Sequence, residues 1–358
     1  MRNFEVEVKL GKKSTISRWN IFWFTFILMF VLTIVQHFFK SPFTLTSPLP
    51  SSNQIFQRLI PKLDQKPNNY SIKKNNSFIE SSYASTGDYS AAQAYAVVDF
   101  NTGDVIEEKN LSKPLPIASL TKIMTAVVAL DLEKPDEQIT ISKKASHEEP
   151  TTIGVVENQK MTVQELLDAI LLTSANDAAQ AVRDGINTKY GSDIFVQAMN
   201  EKAKFLGLKN TNFANPQGFD DKDNFSTVED LAVLTNYALK NYSVISEIVK
   251  NDYLFIPATK DHKQFDLYNW NGLLGVYPGV SGMKIGNTDD AGYTTVVVSE
   301  REGKKVIAVL LGATGVLERD LWTSEVLDSA FKKLGNLQPV QVTESDLRAK
   351  YSTWKYWN

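Results

Sequence analysis

Three short strings carry side chains able to do acyl chemistry: Ser119 and Lys122 in SLTK, Ser174 and Asn176 in SAN, and Lys284 in MKIG. Ser119 and Lys122 are three apart, so on a helix they share a face, and a neutral amine there can take a serine proton. A hydroxyl at a helix start also meets free N–H groups and the positive end of the macrodipole. Spacing alone decides nothing, because S-x-x-K recurs at Ser71, Ser281, Ser329 and Ser352, and K-x-G at Lys9, Lys189 and Lys333. Ser119 differs in opening an apolar helix, ASLTKIMTAVVALDLE, where a buried lysine needs a reason to exist. Ser174 and Asn176 stand where one apolar helix gives way to the next, a junction at which the same residue types also serve as caps. Lys284, flanked by Gly282 and Gly286, alone among the K-x-G lysines precedes a convincing hairpin strand. Its side chain can therefore project from a sheet toward a cleft.

Composition narrows the chemistry further. The chain of 358 residues is 43% hydrophobic and 22% charged, which excludes a disordered polymer and suffices for one large or two modest cores. A net charge of -3 argues against nucleic acid as a partner, since phosphate neutralisation needs a basic excess. Without cysteine there is no thiolate nucleophile, disulfide or thiolate metal site, and His37, His147 and His262 are scattered. The nucleophile must be an oxygen or an amine, and no metal or organic cofactor is expected.

The elements that must position these residues begin at AYAVVDF and VIEEKN, a pair of strands around the turn NTGD. A helix should start near Ala118, entered through Pro114 and Pro116. TVQELLDAILLTS, NDAAQAVRDGI, SDIFVQAMNEKAKFLG and TVEDLAVLTNYALKN read as further helices, and strands return near Tyr253. YTTVVVSE and KKVIAVLLG form an antiparallel hairpin around Glu302 and Gly303, and RDLWTSEVLDSAFKKL closes as an amphipathic helix. Strands at both ends with helices between them imply an α/β (α+β) fold. It should have one antiparallel sheet flanked by helices and an inserted all-helical subdomain.

The N-terminus reads differently. Residues 19–39, WNIFWFTFILMFVLTIVQHFF, carry no Asp, Glu, Lys or Arg and are long enough to cross a bilayer as a helix. Arg2, Lys9, Lys12, Lys13 and Arg18 before it outnumber Lys40 and Arg58 after it, so residues 1–18 should be a cytoplasmic tail. A cleaved signal peptide is the rival reading, but no A-x-A-like site follows in KSPFTLTSPLP. Residues 40–92, rich in Ser, Pro, Asn and Lys, read as a flexible linker with a reach of roughly 40 Å, in which only IFQRLIPKL can form a short helix. Residues 93–334 form the folded region and 335–358 a short tail.

Taken in order, SLTK, SAN and KIG, with PIASLTKIMTA, LLTSANDAAQAV, MNEKAKFLGLKNTNFANPQGF, STVEDLA and GMKIGNTDDAGYTTVVV around them, resemble the active-site motifs of the penicillin-binding serine enzymes. The match is best to the low-molecular-mass D-alanyl-D-alanine carboxypeptidase family and covers residues 93–334. This resemblance implies a β-lactamase/transpeptidase-like fold, Ser119 as nucleophile and Lys122 as its base, its charge disfavoured by burial and by Lys284. Ser174 would relay a proton to the departing amine. Asn176 would hold the substrate amide and Lys122, and Lys284 would hold Ser174. The N–H groups of Ser119 and Asn287 would form the oxyanion hole beside Gly286.

One departure stands out. The family's third motif carries Thr or Ser after the lysine to bind the substrate's terminal carboxylate, and here that residue is Ile285. Arg319 matches by spacing the arginine that binds the same carboxylate, and Thr288 and Thr294 are candidate substitute donors beside their turn and strand roles. The resemblance implies peptidoglycan peptides as substrate, β-lactams as inhibitors and removal of a terminal D-alanine at the outer face of a bacterial membrane. A D,D-endopeptidase uses the same residues, and a non-hydrolytic wall-binding protein would keep the fold. A β-lactamase is disfavoured, because no deacylating glutamate motif stands out between SAN and KIG.

Overall fold

The computed structural model describes residues 52–75 and 88–355, with Trp23, Ile27 and Phe78. Contacts group Ser51–Asn358 as one unit. Its strands are β1 (Lys73–Lys74), β2 (Ala94–Asp99), β3 (Asp104–Lys109), β4 (Tyr253–Ile256), β5 (Phe265–Tyr268), β6 (Val280–Thr288), β7 (Gly292–Arg301) and β8 (Lys304–Ala313), with four further very short strands among the described residues. The main sheet runs β1-β3-β2-β8-β7-β6, antiparallel throughout except for the short β1–β3 pair. Strands far apart in sequence thus meet in one sheet, with β6 at its edge.

Strand β8 shows how the sheet is held. Ile307, Val309 and Leu311 face one hydrophobic core while Val306, Ala308 and Leu310 face a second, the alternation that a two-sided buried strand requires. The β7–β8 turn places Glu302 at φ +47° and Gly303 at φ +74°, the left-handed pair that matches strand twist in a two-residue hairpin. The first core is filled by helices α2 (Thr121–Leu132), α3 (Val163–Leu172), α4 (Asn176–Tyr190), α5 (Ile194–Phe205), α6 (Val228–Asn241) and α7 (Ser243–Val249). The second lies under α8 (Val316–Gly335).

Residues 52–63 correct the expectation of a flexible linker over 40–92. They form α1, which contains the short helix expected over IFQRLIPKL, but its Phe56, Leu59 and Leu63 are buried in the first core, so this part of the segment is docked on the fold instead of free. A buried ion pair fixes its end: Lys202 Nζ lies 2.8 Å from Asp131 Oδ2, donates to Tyr237 Oη at 3.0 Å and donates to the Leu63 carbonyl. The chain then runs along the fold, with Lys66 Nζ donating to the Asn241 carbonyl and Tyr70 Oη to the Asp99 carbonyl, before β1 joins the sheet. The rest of that expected linker, 40–51 and most of 76–87, lies outside the described residues. So does the expected span 19–39 apart from Trp23 and Ile27, and among the described residues no helix is long and apolar enough to cross a membrane.

The tail after residue 334 is also more ordered than expected. Thr343 and Asp346 form a reciprocal capping box that starts a helix over Glu344–Tyr351, and Leu347 of that helix is fully buried in the second core. Trp354 follows and packs with Trp270 and Ile285.

Candidate active site

Ser119 sits in a 3-10 turn, Ala118–Leu120, that leads into α2, rather than in the helix proper. Ala118 takes φ +49°, a left-handed conformation costly for a residue with a side chain. The turn is wedged between two glycines. A Cβ on Gly218 would lie 2.0 Å from the Ala118 carbonyl oxygen, and one on Gly286 would lie 2.7 Å from the Ser119 nitrogen. Only glycine lets the 217–219 loop and β6 close against the serine from both sides.

One helical turn on, Lys122 is completely buried, and its Nζ reaches Ser119 Oγ at 2.8 Å, Asn176 Oδ1 at 2.7 Å and the Gln217 carbonyl at 2.6 Å. Burial pushes its pKa down to about 7, against the opposing negative charges of Asp177 and Glu148. A neutral amine has two N–H donors and one lone pair. With Asn176 Oδ1 and the Gln217 carbonyl taking the donors, the lone pair is left for the Ser119 hydroxyl, which is the arrangement a general base requires.

The SAN segment is held by its neighbour. Asp177, at the start of α4, accepts from the backbone N–H groups of Ile153, Gly154, Val155 and Ala178 at 2.9–3.2 Å. The Asn176 N–H donates to the Thr151 carbonyl at 2.7 Å, and its Nδ2 to the Glu149 carbonyl. The loop over residues 150–155 is thereby tied to the helix start, and Pro150, Thr151 and Thr152 wall the cleft. Ser174 takes φ +59° and faces the cleft.

Strand β6 supplies the opposite wall, pairing Gly286 with Thr294 and Asn287 with Tyr293 on β7. Ile285, Gly286, Asn287 and Thr288 line the cleft with Ser119, Ser174 and Asn176, around a cavity of about 540 Å³. That volume suits a peptide terminus. Lys284 is buried behind this wall and donates to the Ile285 carbonyl at 2.8 Å. Among the described residues no hydrogen bond joins it to Ser174, against the expectation that it would hold that serine. Burial lowers its pKa well below the usual lysine value, and the positive charges of Lys122 and Arg319 add to that.

Two expectations about carboxylate recognition change. Thr294 is fully buried and donates to the carbonyls of Ile117 and Gly286, so it faces the fold and not the cleft. Arg319 does not line the cavity: Nε and Nη2 each donate at 2.8 Å to the two oxygens of Asp320, and both side chains are buried. Tyr351 Oη, from the C-terminal helix, donates to the same Asp320. Ile285 in turn packs against Trp270 and Trp354.

Sequence reasoning missed the Gln217 carbonyl, although Gln217 lies in the quoted run NPQGF; its side chain is held by Glu148 and Gln180. Asp177 was visible as a carboxylate at a helix start, and Trp354 as part of an aromatic-rich tail. Their contacts with the loop and with Ile285 are tertiary. Among the described residues no group of His, Cys, Asp and Glu side chains could hold a metal ion.

Comparison with known proteins agrees with this geometry. Residues 81–315 match the family model described as D-alanyl-D-alanine carboxypeptidase. DacF of Bacillus subtilis (strain 168), a D-alanyl-D-alanine carboxypeptidase, is 34% identical over 68% of this chain and 62% of its own, so the chain spans under two thirds of that relative. The D-alanyl-D-alanine carboxypeptidase of Streptomyces sp. (strain K15) is 31% identical over 64% of this chain and 84% of its own. The solved Streptomyces K15 DD-transpeptidase superposes with a TM-score of 0.63 at 31% identity, covering 67% of this chain and 97% of that one. DacD from Francisella tularensis gives 0.62 at 27% identity, over 67% and 70%. Motifs, fold and matched length agree, and the chain belongs to the D-alanyl-D-alanine carboxypeptidase family of serine peptidases.

Proposed function

We propose that this protein is a serine D,D-peptidase that cleaves D-Ala-D-Ala termini of peptidoglycan stem peptides through an acyl-enzyme on Ser119. The observation that carries this is the 2.8 Å contact between the Ser119 hydroxyl and a buried Lys122 amine whose pKa lies near neutrality. Neutral Lys122 takes the hydroxyl proton as Oγ attacks the penultimate carbonyl carbon. The tetrahedral oxygen develops its charge toward the N–H groups of Ser119 and Asn287, which β6 brings together at Gly286. The C–N bond then breaks, the amine of D-alanine takes a proton by way of Ser174, and an ester on Ser119 remains. Water, deprotonated by Lys122, releases the shortened peptide and restores the serine.

Lys284 braces β6 from behind through its hydrogen bond to the Ile285 carbonyl, and Asn176 orients the substrate amide and Lys122. Gly286, Asn287 and Thr288 offer backbone and side-chain groups along the strand, with Thr288 the remaining hydroxyl on the cleft side. Penicillin-type β-lactams acylate the same serine in this reading. Residues 19–39 anchor the enzyme in the cell membrane with the peptidase on the extracytoplasmic face. The full chain, given an acyl-D-Ala-D-Ala peptide, should release free D-alanine, and Ser119→Ala should release none. D-alanine release that persists in Ser119→Ala would remove the assignment.

A D,D-endopeptidase that cuts cross-links is the second reading. Apolar Ile285 at the carboxylate position and the internal pairing of Arg319 with Asp320 favour it.

A further inference from the structure

Gln217 presents its carbonyl to the Lys122 amine at 2.6 Å, and its buried side chain is gripped from two directions. Nε2 donates to Glu148 Oε2 at 3.0 Å and to Gln180 Oε1 at 2.7 Å. Gln180 stands one turn after Asn176 on α4, so one helix face carries both the amide oxygen that accepts from Lys122 and the one that accepts from Gln217. A further turn on, Asp184 Oδ1 accepts from Gln180 Nε2 at 2.7 Å, and its other oxygen accepts from Ser142 Oγ.

The direction of each bond follows from the groups. An ionised carboxylate only accepts, so Asp184 draws the NH2 group of Gln180 and turns its oxygen toward Gln217. Glu148 and that oxygen then both draw the NH2 group of Gln217. A reversed Gln217 amide would set an oxygen against two acceptors. The observed direction carries its own penalty, since Gln217 Oε1 is buried without a hydrogen-bond partner among the described residues. At the far edge of the same peptide, the Gly218 N–H donates to Asn215 Oδ1 at 2.7 Å, so side chain and N–H restrain the carbonyl from both ends.

We propose that Glu148 and Gln180 are positioning residues for the general base: they clamp the Gln217 side chain so that its carbonyl takes one N–H of Lys122 and leaves the lone pair to Ser119. Neither lines the catalytic cleft, so both act through Gln217. The proposal rests on the acyl-enzyme reading above and adds two residues to its machinery.

Glu148 also acts by charge. Burial lowers the Lys122 pKa, while Asp177 on α4 and then Glu148 on the loop before Pro150 oppose it; Lys284 on β6 is the positive charge facing the amine. Asp177 is bound by four backbone N–H groups, so changing it would undo the loop. Glu148 is half-buried, and Glu148→Gln removes its charge while keeping an acceptor oxygen for Gln217. Without that negative charge the ammonium form of Lys122 is less favoured, and the base form persists to lower pH.

The test is single-turnover acylation of the full chain by a chromogenic β-lactam between about pH 5 and pH 9, with prior β-lactam binding separated from the acylation rate constant by its concentration dependence. Glu148→Gln should acylate about threefold faster than wild type near pH 5.5, with a plateau within about threefold of wild type. Glu148→Ala and Gln180→Leu should lose about tenfold in the plateau rate constant with β-lactam binding unchanged, because the carbonyl is no longer aimed at Lys122. A purely structural role cannot raise the rate at low pH. A Glu148→Gln profile that coincides with wild type or moves to higher pH would overturn the proposal, as would wild-type plateaus in folded Glu148→Ala and Gln180→Leu. Glu148→Gln and Glu148→Ala decide the matter if Gln180→Leu does not fold. A wild-type chain that is not acylated at any pH would overturn the peptidase reading together with this one.

Discussion

The guanidinium of Arg319 is bound to the carboxylate of the residue beside it: Nε and Nη2 reach the two oxygens of Asp320 at 2.8 Å, with both side chains buried. Removing one partner strands the other as a buried charge, which typically costs about 3–5 kcal/mol. Asp320→Asn should therefore lower unfolding stability by roughly that amount in a urea titration. A change under about 1 kcal/mol would mean that Arg319 finds another anion or water.

The Lys122 amine sets a pH dependence. With its pKa near 7, its base form is lost as pH falls through 7, so β-lactam acylation should drop about tenfold per pH unit below that point and level off above it. The profile should be read from single-turnover acylation with a chromogenic β-lactam between about pH 5 and pH 9. A rate that is flat through this range would show that another group takes the serine proton.

Gly218 allows the loop of residues 217–219 to reach Ala118. At φ +88°, with an added Cβ only 2.0 Å from the Ala118 carbonyl oxygen, Gly218→Ala must displace the turn carrying Ser119 or the carbonyl that holds Lys122. Acylation should fall at least about a hundredfold, more than the roughly 1–2 kcal/mol cost of holding a residue with a Cβ in the left-handed region accounts for. Near-normal acylation in a folded Gly218→Ala protein would show that this close approach is dispensable.

Much of this site was legible in sequence, for reasons that differ by residue. Ser119, Ser174 and Asn176 stand near element boundaries that periodicity and turn residues reveal and Lys284 lies within a strand, but that they and Lys122 meet in one site was implied by the resemblance of the ordered motifs and not by their spacing. The docking of the helix Ser52–Leu63 was hidden because its four apolar positions are embedded in a Ser- and Asn-rich stretch, and its buried partners Lys202 and Asp131 come from other helices. Arg319 was placed by spacing at the end of the cleft, and spacing does not show which carboxylate a guanidinium will choose. Trp354 reaches Ile285 only because the C-terminal helix is anchored through Leu347, a tertiary contact with no local signature.

Ile285 provides a specificity test. Ile285→Thr replaces packing against Trp270 and Trp354 with a hydroxyl at the carboxylate position, so stability should fall by about 1–2 kcal/mol. The kcat/KM on a free D-Ala-D-Ala terminus should rise about tenfold, the lower range of a hydrogen bond to a charged group. Unchanged or lower activity on that peptide would mean that the hydroxyl is not what the site lacks.

The central claim is that Ser119 is the acylated nucleophile, and intact-protein mass spectrometry after exposure to a labelled penicillin addresses it most directly. One adduct should form per chain, map to the peptide containing Ser119, and be absent from Ser119→Ala. An adduct on any other residue, or one that survives Ser119→Ala, would contradict the account.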